Sequence, residues 1–265
     1  MHGNILKCPV CSSRLIANGG SYKCKNDHCF DISKKGSVNL LLKGGAHGDD
    51  RGMLASRRDF LSAGYYEQLA QAVSEAVAKQ GGTVLDMGCG EGYYSSRLAD
   101  IKDARVYAFD VSKYAAAMTA GRDKRITAFT ASSFDIPVLS DSVDCAVSIF
   151  APFDPYEVSR VLRTGGVLVA AYPMPEHLLE LKQAIYDRVI LNPDSVPEHK
   201  GFKQVDIACV RFNMHLNDSS HIQALFSMTP YAYNTPKALV SRLNVLTELD
   251  CRAEIMVVTY KKIRP

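Results

Sequence analysis

Val84-Leu85-Asp86-Met87-Gly88-Cys89-Gly90-Glu91-Gly92-Tyr93-Tyr94 is an apolar run that meets three glycines spaced two apart and then a segment able to continue as a helix. A strand turns sharply into a helix, and lets a ligand lie against bare backbone, only where no Cβ intrudes. Gly88, Gly90 and Gly92 meet that need. A dinucleotide fingerprint wants G-x-G-x-x-G, but its third glycine position is Tyr93 here and the glycine falls one residue early. The stretch is therefore a nucleotide-type cofactor site that suits NAD poorly. Asp110 ends a second apolar run, Val106-Tyr107-Ala108-Phe109, eighteen residues beyond Gly92. A carboxylate placed there can accept both hydroxyls of a ribose.

The spacing D-x-G-x-G-x-G resembles the first motif of the Rossmann-like methyltransferases. That resemblance implies S-adenosylmethionine as cofactor, with Asp86 at its methionyl end and Asp110 on its ribose. The surrounding pattern agrees with a doubly wound α/β sheet. Apolar runs predict strands at 83–87, 105–110, 126–131, 143–149 and 167–172, and helices near 93–100, 113–122, 154–162 and 176–189. Ahead of them Leu69, Ala70, Val73, Ala76 and Val77 share one helical face, and Gly81-Gly82 ends that helix. After Asn192 the pattern changes to a strand near 203–214, a helix opened by Asp218-Ser219-Ser220, and a strand near 252–262. The two late strands are expected to form the antiparallel hairpin that closes a seven-stranded mixed sheet.

Composition sets the bounds. A length of 265 residues favours one large domain with a small one, and 47% hydrophobic content is ordinary for a packed globule. No 18-residue window is uninterruptedly apolar, and the N-terminus lacks a signal-peptide pattern, so a cytoplasmic protein without a membrane partner is expected. Eight cysteines in a reducing compartment are not a disulfide framework. Four of them fall within the first 29 residues, and the other four stand singly on apolar segments and are expected to be buried thiols. The net charge of +3 is modest, but residues 1–62 carry ten Lys/Arg against five Asp/Glu while the remainder is slightly acidic. The N-terminal part is thus a candidate surface for an anionic partner.

The early cysteines have metal spacing. Cys8-Pro9-Val10-Cys11 is followed twelve residues later by Cys24-Lys25-Asn26-Asp27-His28-Cys29. A thiolate pair two residues apart folds round one side of a tetrahedral Zn²⁺, and a second hairpin supplies Cys24 with either His28 or Cys29. A module this small buries too little surface to stand alone, and a structural metal would supply the missing folding energy. Behind it, Val38-Asn39-Leu40-Leu41-Leu42 could pack the module against its neighbour, and the glycine- and charge-rich stretch 43–52 reads as a linker.

Taken together the chain resembles the guanine-N1 methyltransferases of 23S ribosomal RNA. The likeness rests on the Cys8/Cys11/Cys24/His28 knuckle, Phe30-Asp31, Gly36, Val38-Asn39-Leu40-Leu41 and Arg57-Arg58-x-Phe60-Leu61-x-Ala63-Gly64-x-Tyr66. It continues through the glycine motif, Asp110-Val111-Ser112-Lys113, Ala131-Ser132-Ser133, Ala151-Pro152, Pro175-x-His177-Leu178-x-Glu180-Leu181-Lys182 and Met228-Thr229-Pro230. It implies His28 as fourth zinc ligand, and Tyr66, Gly92, Tyr93 and His177 at the cofactor, with Ser132 beside them. It also implies a 23S rRNA hairpin as substrate and a homodimer. The expected division is a zinc-binding RNA-recognition module over 1–42, a linker and first helix over 43–62, and the methyltransferase domain over 63–265.

Ser148-Ile149-Phe150-Ala151-Pro152-Phe153 departs from the (Asp/Asn)-Pro-Pro-(Tyr/Phe) of enzymes that methylate exocyclic amines, which disfavours adenine N6. Guanine N1 must instead lose its imino proton, and His177 and Asp154 are the candidate bases. Tyr93 and Phe150 are candidates to stack on adenine or on a splayed guanine. Lys7, Lys23, Lys25, Lys34 and Lys35 are candidates to grip RNA phosphates, and Arg57 and Arg58 either join them or bind the cofactor carboxylate. Two other functions share the motifs: a small-molecule methyltransferase, and a cofactor-binding, RNA-binding protein without turnover.

Overall fold

A computed structural model describes residues 4–42 and 48–263, so the Lys43-Gly44-Gly45-Ala46-His47 part of the expected linker lies outside the described residues. The chain opens with a three-stranded sheet, β1 (Ile16–Asn18), β2 (Ser21–Lys23) and β3 (Cys29–Asp31), in that order. Asn18 pairs with Ser21 across a two-residue turn, and both turn residues, Gly19 and Gly20, have positive φ, the geometry that matches strand twist in a tight hairpin. β4 (Val38–Asn39) follows, then α1 (Arg51–Ser62) and α2 (Glu67–Ala78). Asp50 caps α1 by accepting the Met53 N–H at 2.9 Å. α2 buries Leu69, Ala70, Val73 and Val77, the face its periodicity indicates.

The main body alternates β5 (Thr83–Met87), α3 (Tyr93–Leu98), β6 (Arg105–Asp110), α4 (Lys113–Arg122), β7 (Thr127–Thr130), β8 (Val143–Ile149), α5 (Pro155–Val161), β9 (Leu162–Pro173) and α6 (Leu179–Ile185). β10 (Phe202–Leu216), the helices α7 (Ser219–Ser227), α8 (Tyr231–Asn234) and α9 (Lys237–Val240), and β11 (Leu249–Lys262) complete the described residues. The sheet order is β10-β11-β9-β8-β5-β6-β7-β4, with β11 antiparallel to both neighbours and every other pair parallel. This is the mixed sheet of a class I methyltransferase. β5 is buried along its whole length, and the chain runs away from it in both directions, to β6 on one side and β8 on the other. Ligands of such sheets bind at that reversal, beyond the carboxyl ends of the strands.

The sheet has eight strands where seven were expected. The extra one is β4, which pairs Val38 with Phe129 and is extended by a 3.0 Å hydrogen bond from the Leu40 N–H to the Thr130 carbonyl. Val38 and Leu40 are buried and Asn39 is exposed, the alternation of a strand on a core. Leu6 bridges to Val138, Lys7 N–H donates to the Pro137 carbonyl, and Ile5, Leu6 and Leu15 share one apolar cluster with Phe109, Phe129 and Ile136. The segment ahead of the small sheet is therefore built into the core of the large one, with Tyr22 and Phe30 of the small sheet packed against it. α6 stops at Ile185, short of the expected 189, because Tyr186 is extended.

Candidate functional site

Two clusters stand out. In the first, the ligand atoms of Cys8, Cys11, Cys24 and His28 all lie within 4.8 Å of one another. Cys8 Sγ is 3.6 Å and Cys24 Sγ 3.4 Å from His28 Nδ1, and Cys11 and Cys24 sulfurs are 3.6 Å apart. Tetrahedral Zn²⁺ with Zn–S of about 2.3 Å and Zn–N of about 2.0 Å has edges of roughly 3.5–3.8 Å. These three separations match those edges, and three thiols with one imidazole form a closed structural set. Ser13 holds the Cys11 thiol down to about 5, toward the thiolate a metal needs, while burial pushes Cys8 up. Cys29 pairs with Lys23 in β3 and is exposed, and it is not one of the converging residues.

The second cluster lies where β5 and β6 end. Gly90 has a φ of +56° and its N–H donates to Asp110 Oδ2 at 3.0 Å, while the Ser112 N–H holds Oδ1 at 2.8 Å. Asp110 is thus fixed against the glycine loop, with its carboxyl pushed up by burial and pulled back by those two amides. The Ala131 N–H donates to the Asp110 carbonyl at 3.0 Å, which brings Ser132 alongside, with the Ser132 hydroxyl accepting the Phe134 N–H. Loop glycines with left-handed backbone and a clamped acid on the next strand fit an adenosyl cofactor.

The other two glycines serve packing. A Cβ on Gly88 would stand 2.5 Å from the Ala151 Cβ, and one on Gly92 (φ +90°) would stand 2.9 Å from the Thr119 backbone on α4. Asp86 is fully buried and accepts the Ser95 hydroxyl of α3 at 2.5 Å, so its carboxylate turns to that helix. Burial, with Asp110 adding, raises it to about 6 against the opposing Ser95 bond. Tyr93 is buried, and its hydroxyl donates to Glu67 at 3.0 Å, so its ring faces α2 and only its backbone borders the loop. Tyr66 packs edge-on against Phe60 and Phe212 in the core, where burial raises its phenol.

His177 follows β9 and is 7% exposed. Its Nδ1 accepts the Glu254 N–H at 3.2 Å, and burial, with the Lys182 charge, lowers it to about 3. The imidazole is neutral and presents an Nε2–H, a donor, which suits it poorly to removing a proton. Phe150 stacks on it at 5.8 Å; it has a φ of +56°, unusual without glycine, and is 45% exposed. Asp154 caps α5 through the Tyr156 N–H at 3.0 Å and is tied to the Ser133 carbonyl through its own N–H. Two pairings had no sequence signal. Glu91 is buried with Arg122 as ion-pair partner, 31 residues away, and Lys182 is 3% exposed with Asn192 Oδ1 at 3.3 Å as its polar partner.

Arg57 and Arg58 part company. Arg58 is exposed beside Asp59, whereas Arg57 lies over the glycine loop. Lys23, Lys25, Lys34 and Lys35 are exposed on the small sheet and its following loop. Lys7 is half-buried near Arg160, Glu157 and Asp135, and burial lowers its pKa.

Residues 6–42 match the zinc-ribbon profile described as RlmA, N-terminal, and residues 84–166 match a methyltransferase-domain profile. The 23S rRNA (guanine(748)-N(1))-methyltransferase of Streptomyces fradiae is 32% identical over 188 residues, covering 68% of this chain and 67% of that protein. A protein of Micromonospora griseorubida, provisionally named a 23S rRNA (guanine-N(1)-)-methyltransferase, is 29% identical over 99% of this chain and 100% of its own length. In fold, a chain of the complex between the Haloferax volcanii Trm112 methyltransferase activator and a provisionally named methyltransferase aligns with a TM-score of 0.51. It is 18% identical and covers 82% of this chain and 100% of that one.

Proposed function

The chain belongs to the 23S ribosomal RNA (guanine-N1)-methyltransferases, and from that premise we propose how its residues divide the methylation of a guanine N1 in an rRNA hairpin loop. The supporting observation is the Asp110 carboxylate clamped onto the Gly90 loop at the sheet's reversal point. When bound, S-adenosylmethionine supplies an activated methyl group, and the protein's work is positioning and exclusion of water. Asp110 takes the ribose hydroxyls, the Gly90–Gly92 backbone lines the cofactor, Ser132 sits toward its base, and the His177 Nε2–H donates into the cleft.

Guanine N1 lies on the pairing edge, so the target base must be unpaired or drawn out before attack. Phe150, held on His177 and exposed on its outer face, is the stacking platform for that base. Of the two candidate bases, Asp154 fits better, since its capping bond uses one carboxylate oxygen and leaves the other to accept a proton. Zn²⁺ held by Cys8, Cys11, Cys24 and His28 shapes the ribbon, whose Lys23, Lys25, Lys34 and Lys35 meet RNA phosphates. A cytoplasmic homodimer with two ribbons flanking one cleft completes the reading. Among the described residues no helix is long and apolar enough to cross a membrane.

The test is transfer of labelled methyl from S-adenosylmethionine to total rRNA, beside a pool of small metabolites. The expected product is N1-methylguanosine, mapped by arrest of reverse transcription because the modification blocks the pairing edge. Label in metabolites alone would identify a small-molecule methyltransferase, and cofactor binding without label anywhere would identify a protein without turnover.

A further inference from the structure

We propose that Arg57 is the receptor for the carboxylate at the methionyl end of the cofactor; this rests on the S-adenosylmethionine reading of the glycine loop. Arg57 projects from α1, and its Nη1 lies 3.4 Å from where a Cβ on Gly90 would stand. Gly90 is the loop residue whose N–H holds Asp110. With the ribose on Asp110, the remainder of the cofactor passes over this loop, and its carboxylate comes within reach of the guanidinium.

The charges around the loop explain why a cation is needed there. Asp86, Glu91 and Asp110 are all buried or nearly so, and Asp49 lies beside them. That acidic surround suits a sulfonium and an ammonium and repels a carboxylate. Arg122 pairs with the buried Glu91 on the α4 side and Arg97 with Glu67 on α2, whereas Arg57 is the arginine that stands over Gly90 itself. The polar contacts of Arg57 leave from Nη2, to Asp49 Oδ2 at 2.7 Å and to the Met228 carbonyl at 3.4 Å. Its Nε is buried and without a hydrogen-bond partner among the described residues. Among the described residues, Nη1 is therefore the donor held over the loop with no committed acceptor. Asp49 fixes the guanidinium in place, and the Ser112 hydroxyl and Tyr233 hydroxyl in turn hold Asp49. Arg58, one residue on, is 52% exposed and has no such seat.

The experiment is calorimetric binding of two probes, S-adenosylhomocysteine, which carries the amino-acid tail, and 5′-methylthioadenosine, which lacks it. Arg57→Gln should weaken S-adenosylhomocysteine by about 10- to 100-fold, the worth of a charge-assisted hydrogen bond, and leave 5′-methylthioadenosine unchanged. Arg57→Lys should fall between, keeping charge without the fork. Arg58→Gln should change neither. The inference is overturned if Arg57→Gln weakens both probes equally, weakens neither, or abolishes 5′-methylthioadenosine binding through loss of fold. Failure of the unaltered protein to bind either probe would instead overturn the cofactor reading, and an RNA role for Arg57 would appear as intact probe binding with lost rRNA affinity.

Discussion

His177→Asn should remove a defined part of the protein's acid sensitivity. In the unfolded chain this histidine protonates near 6.5, and in the fold burial lowers it to about 3. Between those values the unfolded state binds a proton that the folded state refuses, so stability falls as pH falls through that window. At pH 5 the separation from 6.5 is about 1.5 units, worth about 2 kcal/mol, while near pH 7 the penalty is close to nil. Asparagine can still accept the Glu254 N–H through its amide oxygen, so the local backbone bond survives. Asp86, raised to about 6, works in the opposite sense, gaining stability as pH falls, but it is present in both proteins and cancels. The same holds for the zinc ligands. Urea midpoints of zinc-loaded, cofactor-free parent and variant, taken near pH 7 and pH 5, give the two changes in unfolding free energy. The parent should lose about 2 kcal/mol more than the variant over that interval. Equal losses would mean that His177 titrates normally in the fold, and the assignment of a neutral Nε2–H donor would fall with it.

Gly92→Ala combines a left-handed backbone with a Cβ 2.9 Å from the Thr119 backbone and should destabilise by roughly 2–4 kcal/mol in thermal melts, without a ligand present. Chelation of zinc should raise hydrogen exchange across residues 5–42 while binding of S-adenosylhomocysteine persists; unchanged exchange would exclude a structural metal. Replacing Lys23, Lys25, Lys34 and Lys35 by glutamine should lower the slope of log affinity for rRNA against log salt by roughly 3, and an unchanged slope would give the ribbon another job. Lys182→Met should be at least as stable as the parent at neutral pH, because burial holds this ammonium below its ordinary pKa. The parent, whose folded state sheds the proton first, should gain stability relative to the variant as pH rises toward 10.5.

The central strands were legible because their signals are local, an unbroken apolar run for β5 and β6, and the helix expected over 113–122 is α4, which the Ser112 hydroxyl caps. β4 was legible as an apolar stretch that packs the module on its neighbour but not as a strand of the large sheet, since two residues carry no periodicity and the β7 edge beside them makes the pairing. α8 and α9 are single turns punctuated by Pro230 and Pro236, too short to pattern. At the site, the glycines and Asp110 were readable from spacing. The direction in which each side chain turns was not: Asp86 to Ser95 and Tyr93 to Glu67 are partnerships set by how α2 and α3 pack, and the close approach of Gly92 to Thr119 is set by how α4 packs. The choice between His28 and Cys29 likewise depends on tertiary placement: His28, just ahead of β3, converges with the three thiols, while Cys29 opens the strand and is exposed.

The seam between ribbon and sheet makes the metal a custodian of solubility. β7 would be the outermost parallel strand, with a row of unpaired amides and carbonyls open to any passing chain, were it not shielded by Val38–Asn39. That shield is tethered to a segment too small to hold its own shape. Oxidation or stripping of the thiols would therefore peel away the cover and turn a folded enzyme into a template for clumping.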